Sequence, residues 1–188
     1  VCTFDERFAG KANFLYYPYG TTWIHDGERA VYTKTKNLSI IASDKRFTHG
    51  QCIRHEVVAR FRTKIDGVFG RGYQPIEHKV EGLAPYRYSI TVENCNINSY
   101  FSEKLIDCFM TGTIPIYWGF GKVTDFFDTR GVLTFSSPEE LAFILDRISP
   151  EDYESRIDAV RDNFQRALEY LSFEKHLWKD CLSKLVGC

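Results

Sequence analysis

Residues 86–119 read "YRYSITVENCNINSYFSEKLIDCFMTGTIPIYWG", and this stretch decides the fold. Residues 86–94 are rich in aromatic and β-branched side chains, the composition of a strand. A helix is expected over about 101–111, with Glu103 and Lys104 in its first turn and Gly112 just past its end. A short apolar strand, 113–118, follows. Pro115 lies inside it and has no N–H to give to a ladder, so it is expected at a strand start or on a sheet edge.

The same alternation runs outward in both directions. Residues 37–43 ("NLSIIAS") form a buried-strand run, and in 50–61 the residues Ile53, Val57 and Phe61 stand four apart, a helical stripe. Residues 65–70 ("IDGVFG") are a second strand ending in glycine. Beyond the opening stretch, "KVTDFF" predicts a short helix and 131–135 a fifth strand. Ser137 is then an N-cap, Pro138 the first helical residue, and Glu139 and Glu140 suit the first turn. Two more helices are expected, over about 150–171 and 173–186. Strands alternating with helices predict an α/β fold, a parallel sheet with helices on both faces. The chain divides into a lead-in over 1–37, a sheet domain over 38–149, and C-terminal helices over 150–188 that pack on it.

Composition narrows the function. The 188 residues allow one sizeable core. Net charge is −1, so the broad basic field needed to hold nucleic acid is absent. Local basic residues can still hold one small phosphate group. Six cysteines without a C-x-x-C spacing read as reduced thiols, which places the chain in a cytoplasmic compartment. No His pair has the H-x-x-x-H spacing of a metal-binding helix, no apolar run reaches transmembrane length, and the opening residues are too charged for a signal peptide.

In open α/β sheets ligands settle beyond the carboxyl ends of the strands. Ser43, Asp44, Lys45 and Arg46 fall there, as do Gly70, Arg71 and Gly72, and so do Glu93, Asn94, Tyr100, Glu103 and Lys104. A helix N-terminus favours an anion. Lys104 in a first turn is unfavourable unless something negative opposes it, and a bound diphosphate would do so. Glu103 can accept two hydrogen bonds from ribose hydroxyls, and Arg54 can offer a planar fork to the same phosphate. From the Glu-Lys pair alone, a solvated helix face is the commoner reading. The glycines at 67, 70 and 72 fit a tight turn as well as a phosphate loop, and there is no P-loop motif.

The spacing of these residues resembles the α-1,3-fucosyltransferase family. Its donor motif is an aromatic strand ending in Glu-Asn, then Tyr-x-x-Glu-Lys, a helix, and Gly-Thr-x-Pro-x-x-x-Gly. Here these are Glu93-Asn94, Tyr100 through Lys104, and Gly112 through Gly119. "IIASDKRFTHGQCIRHEVVARF" and "VFGRG" are similar to two further family blocks, and the likeness runs from about residue 15 to about 145. It implies the Rossmann-like C-terminal half of a GT-B glycosyltransferase, which binds GDP-fucose or a related GDP-sugar and transfers the sugar with inversion, without a cofactor or a required metal. Arg54 and Lys104 would grip the diphosphate, Glu103 the ribose, and Asn94 and Tyr100 the phosphate–sugar end. Glu93 would either touch the fucose or orient Arg54. The nearest sequence to a metal-holding D-x-D is Asp26-Gly27-Glu28, in the lead-in. The family's general base belongs to an N-terminal acceptor domain, which binds the glycan acceptor and has no counterpart in these residues. The alternative reading is a noncatalytic nucleotide-sugar or carbohydrate-binding module on the same fold.

Overall fold

Parallel pairing of five short strands sets the architecture of the computed structural model, which describes residues 1–178 apart from 9, 18, 19, 99, 173, 175 and 176. The lead-in contributes a two-residue parallel pair, β1 (Cys2–Thr3) and β2 (Leu15–Tyr16). The main sheet then follows in chain order: β3 (Lys36–Ile41), β4 (Gly67–Phe69), β5 (Tyr86–Val92), β6 (Ile114–Trp118) and β7 (Leu133–Thr134). Across the sheet the order is β4-β3-β5-β6-β7. Among the described residues six α-helices connect or follow these strands: α1 (His49–Phe61), α2 (Lys79–Leu83), α3 (Glu103–Met110), α4 (Pro138–Leu145), α5 (Pro150–Ser155) and α6 (Ile157–Ala167).

Both faces of the sheet are covered, which explains the near-continuous apolar strands. Alternate residues point to opposite faces. Tyr88, Ile90 and Val92 of β5 and Ile114, Ile116 and Trp118 of β6 join Val57 and Phe61 of α1 and Leu141 and Leu145 of α4 in one core. Tyr117 turns to the other face and meets Leu105, Ile106 and Phe109 of α3, with Ala167 of α6. The C-terminal helices are tied to the sheet by polar bonds too. The Tyr88 hydroxyl donates to Asp152 at 2.6 Å and that of Tyr153 to the Gly112 carbonyl at 2.7 Å.

Several expectations shift. Pro115 is the second residue of β6, a strand one in from the edge. Its nitrogen lies on the β7 side, and β7 starts pairing only at Ile116↔Leu133, so no ladder bond is lost. The single helix expected over 150–171 is broken at Arg156 (φ −104°, ψ 5°), where the Ser155 hydroxyl bonds the Asp152 carbonyl at 2.7 Å. Residues 168–170 are a 3-10 turn. The helix expected over 173–186 lies mostly outside the described residues. Cys2, Cys52, Cys95 and Cys108 are free thiols. Among the described residues no helix is long and apolar enough to cross a membrane.

Candidate functional site

Taken in chain order, the five main strands lie 2-1-3-4-5 across the sheet, so the winding reverses between β3 and β5. Loops leaving the carboxyl ends of those two strands diverge and leave a crevice, the general ligand position in such sheets. A cavity of about 480 Å³ opens there, within the usual size of a small-molecule site. Ala42 and Ser43 line it from beyond β3, Asn94 from beyond β5, Arg54 from α1, and Glu103 and Lys104 from α3. The winding reversal therefore brings together four of the six residues named from sequence.

Arg54 is held before any ligand arrives. Thr48 caps α1 by accepting from the Gln51 amide at 3.3 Å, and the Gln51 side chain accepts from the Thr48 amide at 3.2 Å. Gly50 lets the helix start press on the end of β5: its amide donates to Asn94 O at 3.0 Å, and a Cβ there would stand 1.7 Å from Glu93 O. One turn on, the Arg54 Nε and Nη2 donate to Val92 O at 3.0 and 2.6 Å, and Nη2 also reaches Asn94 Oδ1 at 2.8 Å. The side chain is only 7% exposed and makes no ion pair among the described residues. Burial lowers its pKa, against the pull of Glu93 and Glu103. A desolvated cation whose hydrogen bonds all go to neutral acceptors is only partly compensated by those two carboxylates, and an anion in the cavity would complete the compensation.

Lys104 is placed differently. The Glu93 side chain, 0% exposed, accepts from the Ser102 amide at 2.9 Å, the Ser102 hydroxyl at 2.7 Å and Lys104 Nζ at 3.3 Å. Lys104 Nζ also meets Glu103 Oε1 at 3.2 Å. The ammonium in the first turn of α3 is thus already opposed, so a diphosphate is not needed to relieve it. Glu93 sits beneath the helix start, outside the cavity wall; it holds Lys104 by a direct bond and acts on Arg54 through its charge. Tyr100 is also outside the wall, its ring 5.1 Å from that of Phe4.

Three lining residues had not been singled out from sequence. Lys79 of α2 donates to Asp107 Oδ2 at 2.7 Å and lies 3.7 Å from Glu103 Oε1. Asp107 also takes the Thr22 hydroxyl and the Trp23 amide, both at 2.7 Å, which draws the lead-in onto α3. Trp23 stands 63% exposed at the mouth, with Lys79 Nζ 4.2 Å from its ring centroid. The available sequence signal was the Glu103–Asp107 spacing, which puts both carboxylates on one helical face. Burial raises the Glu103 pKa, but Lys104 and Lys79 outweigh it and hold the carboxyl below its ordinary value. In all, five cations (Lys45, Arg54, Arg71, Lys79, Lys104) and two carboxylates line the cavity, and Glu93 and Asp44 pair with Lys104 and Arg71 from outside the wall, which leaves a small positive excess there.

A family model described as glycosyltransferase family 10 (fucosyltransferase), C-terminal, matches residues 31–156, which is more than half of the 188. The chain belongs to this family. Among curated family relatives, an α-(1,3)-fucosyltransferase of Helicobacter pylori is 37% identical over 59 residues, 31% of this chain and 12% of its own length. An α-(1,4)-fucosyltransferase of Arabidopsis thaliana is 31% identical over 78 residues, 40% of this chain and 20% of its own. A human GDP-fucose protein O-fucosyltransferase 3 is 25% identical over 117 residues, 59% of this chain and 23% of its own. The fold agrees with solved α1,3-fucosyltransferase structures. One with GDP gives a TM-score of 0.54 at 20% identity, covering 73% of this chain and 46% of that one. One with GDP-fucose gives 0.53 at 20% identity, covering 78% and 52%. The sheet is therefore that of a GT-B fucosyltransferase, and the chain spans at most a quarter of these curated relatives and about half of these structures.

Proposed function

We propose that these residues are the GDP-fucose-binding half of an inverting, metal-independent glycosyltransferase, which moves fucose to a glycan hydroxyl when an acceptor domain is present. The observation that carries this reading is Arg54, a buried guanidinium that makes no ion pair among the described residues, fixed at the winding reversal of the sheet. With Lys104 it would take the diphosphate, while Glu103, kept ionised by two lysines, would accept from the ribose hydroxyls. Asn94, whose side-chain oxygen holds Arg54, would stand beside the phosphate–sugar end, and Tyr100 would approach that end only through movement of its loop.

In this reading the cations stabilise the charge that develops on the departing GDP as the acceptor hydroxyl attacks the anomeric carbon. They supply the positive charge that a metal supplies in other transferases. Lys104 and Lys79 hold the Glu103 carboxyl below its ordinary value, which makes it a weak proton acceptor, and Asp107 is tied up by Lys79, Thr22 and the Trp23 amide, so the general base is assigned to the acceptor half. A thermal-shift panel tests the donor class. GDP and GDP-fucose should raise Tm well above any effect of UDP or ADP at equal concentration. No rise with GDP, or an equal rise with ADP, would contradict the assignment. The noncatalytic alternative predicts GDP binding without turnover even with an acceptor half restored.

A further inference from the structure

On the far side of Trp23 from the donor cavity, a second cleft of about 560 Å³ lies between the lead-in and the start of α2. We infer that His25, Glu28 and His78, which meet in that cleft, form a binding site for a divalent transition-metal ion of the zinc class. The geometry begins with the 3-10 turn Asp26–Glu28. Three residues make one turn of such a helix, so His25 and Glu28 fall on the same face. His78 arrives from the opposite wall, at the residue that caps α2. One ligand atom from each side chain lies within 4.8 Å of the other two. His78 Nδ1 stands 3.7 Å from Glu28 Oε1, and the two imidazole centroids are 5.4 Å apart at an interplanar angle of 70°.

A tetrahedral ion with nitrogen and oxygen ligands at about 2.0–2.2 Å holds those atoms about 3.4 Å apart. Glu28 and His78 are nearly there, and small rotations of the two exposed imidazoles close the rest. Two imidazoles with one carboxylate select zinc, cobalt, nickel or copper over magnesium and calcium, and leave a fourth position for water. The neighbouring cations do not compete for Glu28. Arg29 pairs with Asp26 at 2.6 Å, and Lys79 is taken by Asp107. The site is separate from the phosphate cations, so it has no part in the proposed transfer step. Its effect is mechanical. It ties the lead-in to α2 two residues from Trp23 and one from Lys79, the residues common to both clefts.

The test is metal titration of the untagged, reduced protein. Zinc, followed by competition with a chromophoric chelator, should bind with one tight equivalent. His25→Ala and His78→Ala should each weaken it at least tenfold, and Glu28→Gln should weaken it measurably. Cobalt should give visible ligand-field bands without a thiolate charge-transfer band. Millimolar magnesium should leave Tm unchanged, whereas zinc raises it. Zinc affinity that is the same in both histidine variants, absence of a saturable equivalent, or a thiolate band would each overturn the inference. X-ray absorption of the zinc-loaded wild type reads the same question without a variant: two imidazoles support the site, and none contradicts it.

Discussion

At the residue scale, the charged side chains fall into two kinds that the sequence does not distinguish. Lys104 is matched by Glu93 and Glu103, whereas Arg54 is matched only by a carbonyl and an amide oxygen. Glu93→Gln removes the buried counter-charge of Lys104 and should cost about 2–3 kcal/mol of stability, read by denaturant unfolding. Lys34 is a third case. It is 7% exposed and its ammonium donates to Ala84 O, Thr111 O and Thr113 Oγ1 at 3.1, 2.7 and 2.9 Å, with no carboxylate among them. Burial lowers its pKa from 10.5 to about 7. Between those values the unfolded chain keeps a proton that the folded chain gives up, so stability rises with pH. From pH 7 to about 8, before most thiols and phenols ionise, the rise should total about 1 kcal/mol. Lys34→Met should flatten it, and an equal slope in both proteins would contradict the account.

At the scale of elements, the long periodic segments were legible and the short ones were not. The stripe Ile53, Val57, Phe61 is the buried side of α1, and Ser137 caps α4 by accepting from the Glu140 amide at 3.2 Å. α2 was missed. It has five residues with a glycine among them, too short for a hydrophobic period to show. That omission hid Lys79 and His78, which reach the two clefts from its first residue and its cap. The metal-ligand trio was invisible for a related reason: His25 and His78 lie far apart in the chain and meet only through the fold. Gly50 is a further element-scale feature. Gly50→Ala drives a methyl group into the backbone at Glu93 and should lower stability by about 3 kcal/mol, with weaker GDP binding because Arg54 moves with the helix. A Tm within a degree of wild type would show that the contact between α1 and β5 can yield.

At the scale of the whole molecule, the sheet order makes the site. The reversal between β3 and β5 opens the crevice, and the helices following those strands supply Arg54, Glu103, Lys104 and Asp107. The sequence predicted the alternation and the rim but left the strand order open, because pairing order is a long-range outcome of packing. The glycosyltransferase likeness was carried by composite spacing over 86–119, and it survives as family membership. This chain alone should bind GDP yet transfer no fucose to a glycan, since both cavity carboxylates are held by lysines. Robust transfer in a radiolabel assay would locate the base within these residues.

The account rests on Arg54 and Lys104 gripping a diphosphate together. Calorimetric titration of GDP into wild type, Arg54→Ala and Lys104→Ala tests this most directly, with Arg54→Lys as a variant that keeps the charge and loses the fork. Each alanine should cost about 1.5–3 kcal/mol of binding, roughly a 10- to 150-fold rise in Kd, with Arg54→Lys falling between. A Kd unchanged from wild type in both alanine variants, in protein that is still folded, would contradict it.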